Sequence, residues 1–590
     1  MTISARGLVW GAWLSLAVVN ASVARAASAP AVEAEHGMVV SSQALASEAG
    51  AEILKAGGNA VDAAVAVGYA EAVVNPCCGN IGGGGFMVLH LADGRDRFIN
   101  FRETAPGAAQ GRMFLDDAGN VIKDLSLYGY KAAGVPGTVL GLDTALREYG
   151  TMDRAAVMAP AIRFARDGFV LTRADTDFLD MRTARFQADP NVARVFLRKD
   201  GTRLQPGDRL IQPDLARTLE AIAQGGADAF YHGPIAAKVA AASREHGGLL
   251  TAADFEAYTV TESAPLRCEY RGYVFLSAPP PSSGGATLCE IVNILSGYDM
   301  KALGWHSAAS VHLMVEAMRH AYLDRNTYLG DPAFTANPLG RLLSPDYAAA
   351  IRATIAADKA GSSKTLVPGV APHEKPETTH YSIVDPTGNA VSVTYTLNGV
   401  FGAVVMAEGT GFLLNDEMDD FAVKPGAPNL FGLVQGEANG IAPGKRPLSS
   451  MAPTVVTRNG RTAMVLGSPG GSRIITVTLE TALNMIDFGM QPQEAVDAPR
   501  IHHQWLPDVV FAEPFALSAD TAKLLTDMGY KIVTQKPWGA AEIIAVGPPH
   551  PAEDGPASSG NDSTQTRGMQ PRLLYGANDN RRPAGAAVGE

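Results

Sequence analysis

The residue with the most chemical consequence in this 590-residue chain is Thr378, which opens a strand-like run directly after a segment of quite different character. A hydroxyl is a weak nucleophile near neutral pH unless a base stands beside it. A threonine at a chain start brings that base as its own α-amine, whose ordinary pKa of about 7.7 to 8.0 suits it to take and return a proton. For Thr378 to work in this way, the bond after Glu377 must break. Taken alone, a threonine at a strand start is a β-former and nothing more.

The neighbouring segments change that reading. Thr378-Thr379-His380-Tyr381-Ser382, Thr394-Tyr395-Thr396-Leu397-Asn398, Met418-Asp419-Asp420-Phe421, Lys445-Arg446-Pro447-Leu448-Ser449-Ser450-Met451 and Gly467-Ser468-Pro469-Gly470-Gly471-Ser472-Arg473 occur in that order. Upstream stand Gly57-Gly58-Asn59-Ala60-Val61-Asp62-Ala63-Ala64, Gly82-Gly83-Gly84-Gly85-Phe86-Met87, Phe101-Arg102-Glu103 and the run 279–285. This ordered series resembles the γ-glutamyltranspeptidase family over almost the whole chain after its first 26 residues.

The resemblance implies a layered α/β (α+β) protein, an αββα four-layer sandwich of the N-terminal-nucleophile hydrolase type. Its precursor would cut itself into residues 27–377 and 378–590, two subunits that stay together as a heterodimer. Thr378 would attack the γ-carbonyl of glutathione or another γ-glutamyl compound, and water or the amine of an amino acid or peptide would take the acyl group. Thr396 matches a position that hydrogen-bonds the nucleophile, and Gly470 and Gly471 match an oxyanion hole. A γ-glutamyl group carries an α-carboxylate and an α-ammonium, and both need partners once water is lost. Arg102, Ser449 and Ser450 match the carboxylate positions, while Asn398, Glu417 and Asp420 match those that hold the ammonium.

Each position also has a plain structural alternative. Asp419 and Asp420 read as a solvated turn, Ser449 and Ser450 as a helix cap, Gly470 and Gly471 as a tight turn, and Arg102 as a surface ion pair; their joint order favours the functional reading. His380 is assigned to packing, because an N-terminal nucleophile needs no third group. The run 82–85 lacks the lysine of a phosphate-binding loop and is assigned to close packing. In residues 424–433, which resemble a lid loop, Phe431 stands where many bacterial members have tyrosine. Cys77-Cys78 occupies the Gln-Ala positions of a His-Pro-Gln-Ala-like run. Two other functions remain to be weighed: a glutaryl or cephalosporin acylase of the same family, and an uncleaved protein that only binds γ-glutamyl peptides.

The elements that must position these residues are legible in outline. A helix is expected over 47–55, stopped by Gly57-Gly58, and a second runs from an N-cap at Asn59 to Val74. Phe86 to His90 reads as a buried strand paired with 95–102, helices dominate 132–243, and a helix capped by Thr251 covers 250–258. Residues 270–276 read as one strand leading into the loop 279–285, which either borders a pocket or caps a sheet. Residues 378–384 and 390–397 form a hairpin about the turn 386–389, and the strand 461–466 turns through 467–471 into a helix over 472–486. Residues 357–377 and 548–572 read as exposed, Pro-rich and polar segments, with a last strand at 573–575.

Composition bounds the rest. With 46% hydrophobic and 18% charged residues the chain is globular, and its formal charge of −12 with no basic run argues against a nucleic-acid partner. Residues 1–26, with Arg6, a short apolar stretch and Ala24-Arg25-Ala26, read as a secretory signal peptide, so a periplasmic or secreted protein without a membrane span is expected. The four cysteines are read as buried apolar side chains, although Cys268 and Cys289 could pair. No metal or organic cofactor is implied, since no His, Cys and carboxylate cluster has ligand spacing.

Overall fold

The computed structural model describes residues 28–363, 378–547 and 572–590. The expected signal peptide, most of the segment before Thr378 and the 548–571 insertion lie outside the described residues.

Two seven-stranded sheets organise the chain. One contains Met38–Ser41, Gly84–His90, Asp96–Phe101, Thr261–Ser263, Thr379–Val384, Ala390–Thr396 and Ala586–Gly589. The other contains Val32–Ala34, Leu266–Tyr270, Tyr273–Ser277, Thr454–Arg458, Arg461–Gly467, Glu542–Val546 and Leu574–Asn578. Every pairing within them is antiparallel.

Side-chain alternation along these strands separates three apolar cores and so builds four layers. Phe86 and Val88 face the other sheet, where they meet Val455, Val465 and Ile544. Their alternates Met87 and Leu89, with Tyr381, Ile383, Val391, Val393 and Tyr395, face outward onto a helical layer that includes Ala60–Val74. On the far side, Val456, Met464, Leu466 and Ile543 pack against Gly284–Leu295, Ala308–Tyr328 and Ile474–Ile486. The expected αββα sandwich is the observed one.

Local chemistry explains many of the elements. Asn59 caps Ala60–Val74 and its partner Asp62 completes a capping box; the same device, Thr251 with Asp254, opens a helix of only five residues, Ala252–Glu256, shorter than expected. The expected single strand over 270–276 is a hairpin of two strands. Arg271 and Gly272 have φ of 53° and 80°, the pair of left-handed residues that a two-residue turn matching strand twist demands.

The reading of four unpaired cysteines is corrected. All four are buried, but Cys268 is bonded to Cys289, with Cα atoms 5.8 Å apart between a strand and the helix over it, and Cys77 is bonded to Cys78. His380 packs as expected. Its Nδ1 shares a hydrogen bond with Thr394 Oγ1 at 2.8 Å and its Nε2 with Ser382 Oγ at 3.1 Å. Burial lowers its pKa to about 3, which keeps the ring neutral between the sheets.

The glycine run 82–85 packs against backbone, as anticipated. A Cβ on Gly83 would lie 2.0 Å from the carbonyl oxygen of Thr396, and one on Gly82 2.1 Å from that of Leu413. Gly83→Ala is therefore expected to cost about 1–3 kcal/mol by overpacking. Thermal unfolding of the variant beside the wild type checks this, and an unchanged midpoint would contradict it.

Candidate active site

The hairpin of Thr379–Val384 with Ala390–Thr396 pairs Thr379 with Tyr395. The next step along the ladder brings Thr378 beside Thr396, and their Oγ1 atoms are 3.3 Å apart. Both side chains are buried. Thr396 Oγ1 also accepts the backbone N–H of Asn398 at 2.8 Å, which ties this hydroxyl to the turn that follows its strand.

A small cavity opens on this pair. It is lined by Thr378, Thr396, Arg102, Asn398, Glu417, Asp420, Ser449, Ser450, Gly471 and Phe431, with Met451 and Ile474. Nine of the ten site residues singled out in the sequence thus line one cavity. Gly470 stands beside it, opening the 3₁₀ turn Gly471–Arg473 with φ of 142°. That turn feeds the N-terminus of Ile474–Ile486, where a helix dipole favours negative charge.

The expected solvated turn at Asp419 and Asp420 is buried, and Arg102 is no surface residue. Its guanidinium is fully buried, bonded through Nη1 to Glu417 and through Nη2 to Asp420, while Glu103 lies 3.6 Å from Nη1. One cation therefore faces three carboxyl groups. Burial pushes Glu103 up to about 7 against the opposing pull of Arg102, and burial raises Glu417 well above the usual range. Asn398 Oδ1 and Glu417 Oε2 are buried without a partner among the described residues. Excess acid and vacant acceptors at one end of a cavity form a place for a cation that donates hydrogen bonds.

The loop 279–285 contributes no residue to the cavity lining and instead braces Ser449 from behind. Ser283 N–H and Oγ–H both donate to the Ser449 carbonyl, at 2.8 and 2.6 Å, and Ser449 N–H donates to the Pro281 carbonyl at 2.9 Å. Neither Ser449 nor Ser450 caps a helix.

Above the cavity, a Cβ on Gly471 would fall 2.4 Å from the Phe431 ring, so the glycine admits the aromatic cover. The cover is held from behind. Asp419 accepts from Leu430 N–H at 2.8 Å, Asn429 Oδ1 from Phe431 N–H at 3.0 Å, and Gln504 Nε2 donates to the Phe431 carbonyl at 3.2 Å. Asp419, Asn429, Gln504, Ser283 and Glu103 were not singled out for these roles in the sequence. They act through backbone contacts or pairings that no local spacing reveals.

A four-layer αββα sandwich with a threonine at the head of an inner strand defines the class of N-terminal-nucleophile hydrolases. The chain belongs to the gamma-glutamyltranspeptidase family, whose model matches residues 46–587. It is 56% identical over 577 residues to a glutathione hydrolase proenzyme of Pseudomonas sp. (strain A14), covering 98% of this chain and 97% of that one. A glutathione hydrolase proenzyme of Escherichia coli (strain K12) is 49% identical over 520 residues, with 88% and 89% covered. Among solved structures, the cephalosporin acylase from Bacillus halodurans superposes with a TM-score of 0.82 at 27% identity over 97% of this chain and 98% of that one. No helix among the described residues is long and apolar enough to cross a membrane.

Beneath the strand Thr379–Val384, Glu71 is wholly buried. Its Oε2 accepts from Asn75 Nδ2 at 2.7 Å and from Thr379 Oγ1 at 3.3 Å, while Oε1 has no partner among the described residues. Burial pushes its pKa up from 4.5 to about 7, so the folded protein holds this proton more tightly than the unfolded chain does. Stability from this group is present below pH 4.5 and is lost as pH rises toward 7. Thermal unfolding of Glu71→Gln against wild type across this window should show the variant gaining on the wild type by about 3 kcal/mol as pH rises. A pH-independent difference would refute the assignment.

Proposed function

We propose that this chain is a secreted or periplasmic precursor that cuts itself between Glu377 and Thr378 and then acts as a γ-glutamyltransferase and glutathione hydrolase. The observation that carries this reading is the single cavity in which the Thr378–Thr396 pair lies beside an ammonium-ready acidic end and a serine-lined end. The names of the Pseudomonas and E. coli relatives support it.

In the precursor, Thr378 Oγ1 attacks the carbonyl carbon of Glu377, the peptide C–N bond breaks, and water hydrolyses the resulting ester. The fragments 27–377 and 378–590 then remain associated, because both contribute strands to each sheet. Met38–Ser41 pairs with Thr379–Val384, Gly84–His90 with Ala390–Thr396, and Tyr273–Ser277 with Thr454–Arg458.

In the mature enzyme the α-amine of Thr378 takes the Oγ1 proton as that oxygen attacks the substrate's γ-carbonyl. Thr396 orients the attacking hydroxyl. The N–H groups of Gly470 and Gly471 receive the developing oxyanion, each contact contributing about 2.7–4 kcal/mol. The amine leaves with the proton, and water or an acceptor amine releases the acyl group by the reverse sequence. Asn398, Glu417 and Asp420 hold the α-ammonium, while Ser449 and Ser450 meet the α-carboxylate. Arg102 acts in this pocket with its fork already bound to Glu417 and Asp420, so it sets the geometry of the ammonium end as well as adding positive charge toward the carboxylate.

Glutaryl-amide hydrolysis is the second reading, favoured by the likeness to a cephalosporin acylase. A glutaryl group has no α-ammonium to answer the three carboxyl groups around Arg102.

Intact mass and N-terminal sequencing of purified protein should give two co-purifying fragments, the smaller beginning at Thr378, and a single chain for Thr378→Ala. An uncut wild-type chain would overturn the mechanism. The cleaved enzyme should hydrolyse a γ-glutamyl anilide at least 10-fold faster than the glutaryl anilide, from the loss of a charged hydrogen bond; a reversed preference would favour the acylase reading. Phe431→Tyr should shift the ratio of transfer to hydrolysis, measured by product analysis with a dipeptide acceptor, because it adds a hydroxyl to the cavity cover. An unchanged ratio would rule out Phe431 as a determinant of acceptor access.

A further inference from the structure

Arg325 lies on Ala308–Tyr328 and is as completely buried as Arg102, with a quite different set of partners. Its Nε donates to Ser283 Oγ at 2.9 Å and its Nη2 to Ser450 Oγ at 3.0 Å. Its Nη1 donates to Asn326 Oδ1 at 2.8 Å and Gln435 Oε1 at 3.3 Å. All four acceptors are neutral, and no carboxylate among the described residues forms an ion pair with it. Asp420 acts on Arg325 only at longer range and is already bonded to Arg102. Burial pulls the guanidinium down to about 10, which still leaves it charged at neutral pH.

A buried charge without a counter-charge is costly, and stability gives no reason to keep one. The serines show what it is arranged for. Because Ser450 Oγ accepts from Arg325, its own proton is free to donate elsewhere, and Ser450 lines the cavity. Ser449 Oγ accepts from Met451 N–H at 3.1 Å, which likewise frees its proton toward the cavity. Ser283 passes the arrangement on, accepting from Arg325 Nε and donating to the Ser449 carbonyl. Two hydroxyls with outward protons, backed by an unanswered cation, form a receptor for an anion.

We propose that Arg325 is the positioning residue of the carboxylate end of this pocket: it orients the Ser450 hydroxyl as a donor, ties down Ser449 through Ser283, and supplies the positive charge that the substrate's α-carboxylate answers. Arg325 does not line the cavity and acts through the serines. The inference rests on the reading that Ser449 and Ser450 meet that carboxylate. The same guanidinium reaches Gln435, whose Nε2 donates to the Asp420 carbonyl at 3.1 Å, so it also joins the carboxylate end to the ammonium end.

The test compares kcat and KM for L-γ-glutamyl-p-nitroanilide and for 4-aminobutanoyl-p-nitroanilide, which keeps the amine and lacks the carboxylate. Wild type, Arg325→Met, Arg325→Lys, Ser450→Ala and the Lys/Ala double variant are measured on protein shown by mass to be cleaved. Arg325→Met is expected to lose on the order of 10- to 100-fold in kcat/KM on the γ-glutamyl substrate, mostly in KM, with less than about 3-fold lost on the decarboxylated one. Arg325→Lys, which keeps the charge but not the fork, should fall between, and its effect should be non-additive with Ser450→Ala. Equal losses on both substrates, or additive effects of Arg325→Lys and Ser450→Ala, would make Arg325 a plain structural tether and overturn the proposal. If Arg325→Met is not cleaved, the Arg325→Lys and Ser450→Ala cycle decides alone. A wild-type enzyme that does not prefer the carboxylate-bearing substrate would instead overturn the underlying reading of the pocket, a result distinguishable from any variant's behaviour.

Discussion

The antiparallel register that sets Thr379 opposite Tyr395 is the constraint on which the site depends. Side chains alternate faces along a strand, so a slip of one residue would turn Thr378 away from Thr396 and exchange the contents of the inner and outer cores. The register is held from both sides. Gly84–His90 pairs along the whole of Ala390–Thr396, and glycine at 83 and 85 lets the chain lie close to Thr394, Tyr395 and Thr396. Between the sheets, Ser382 and Ser392 bond to the Glu542 and Leu466 carbonyls at 2.9 and 3.1 Å, so the polar inner faces are satisfied across the layers.

On this rigid frame the pocket is polarised by buried charge. Arg102 lies among three carboxyl groups and Arg325 among four neutral acceptors, and both guanidinium groups are out of water. Such an arrangement is a poor way to stabilise a fold, since desolvation offsets most of the attraction in a buried ion pair and all of it where no partner exists. In the proposed reading of the pocket it serves to recognise a zwitterion, with carboxyl groups set for the ammonium and a guanidinium behind the serines set for the carboxylate. The aromatic cover over Gly471 completes the enclosure, and its supports Asp419, Asn429 and Gln504 come from separate stretches of chain. Water excluded from such a cavity strengthens every contact within it.

What could be read without the structure followed local rules. The capping boxes at Asn59 and Thr251, the hairpin after Thr378, the turn at 467–471 and the backbone packing of 82–85 all depend on residues close in sequence. The ordered motifs led to the family and to a list of site residues, nine of which line one cavity. One misreading arose at an unrecognised tight turn and another where distant residues decide. The 270–276 run became a hairpin because Arg271 accepts a left-handed conformation beside Gly272. Cys268 met Cys289 only because a strand and a helix pack together.

The amino-acid sequence by itself singled out Thr378, the order of its supporting motifs and the alternation that separates three cores. Periodicity, capping and turn chemistry act over a few residues and are written in the chain. Tertiary structure alone decided that Arg102 is bonded to Glu417 and Asp420, and that Arg325, on a helix where a charge would ordinarily face water, is buried behind Ser450. Those outcomes depend on which long-range partners exclude water from a charged group, and burial is a property of the packed layers that no local pattern contains.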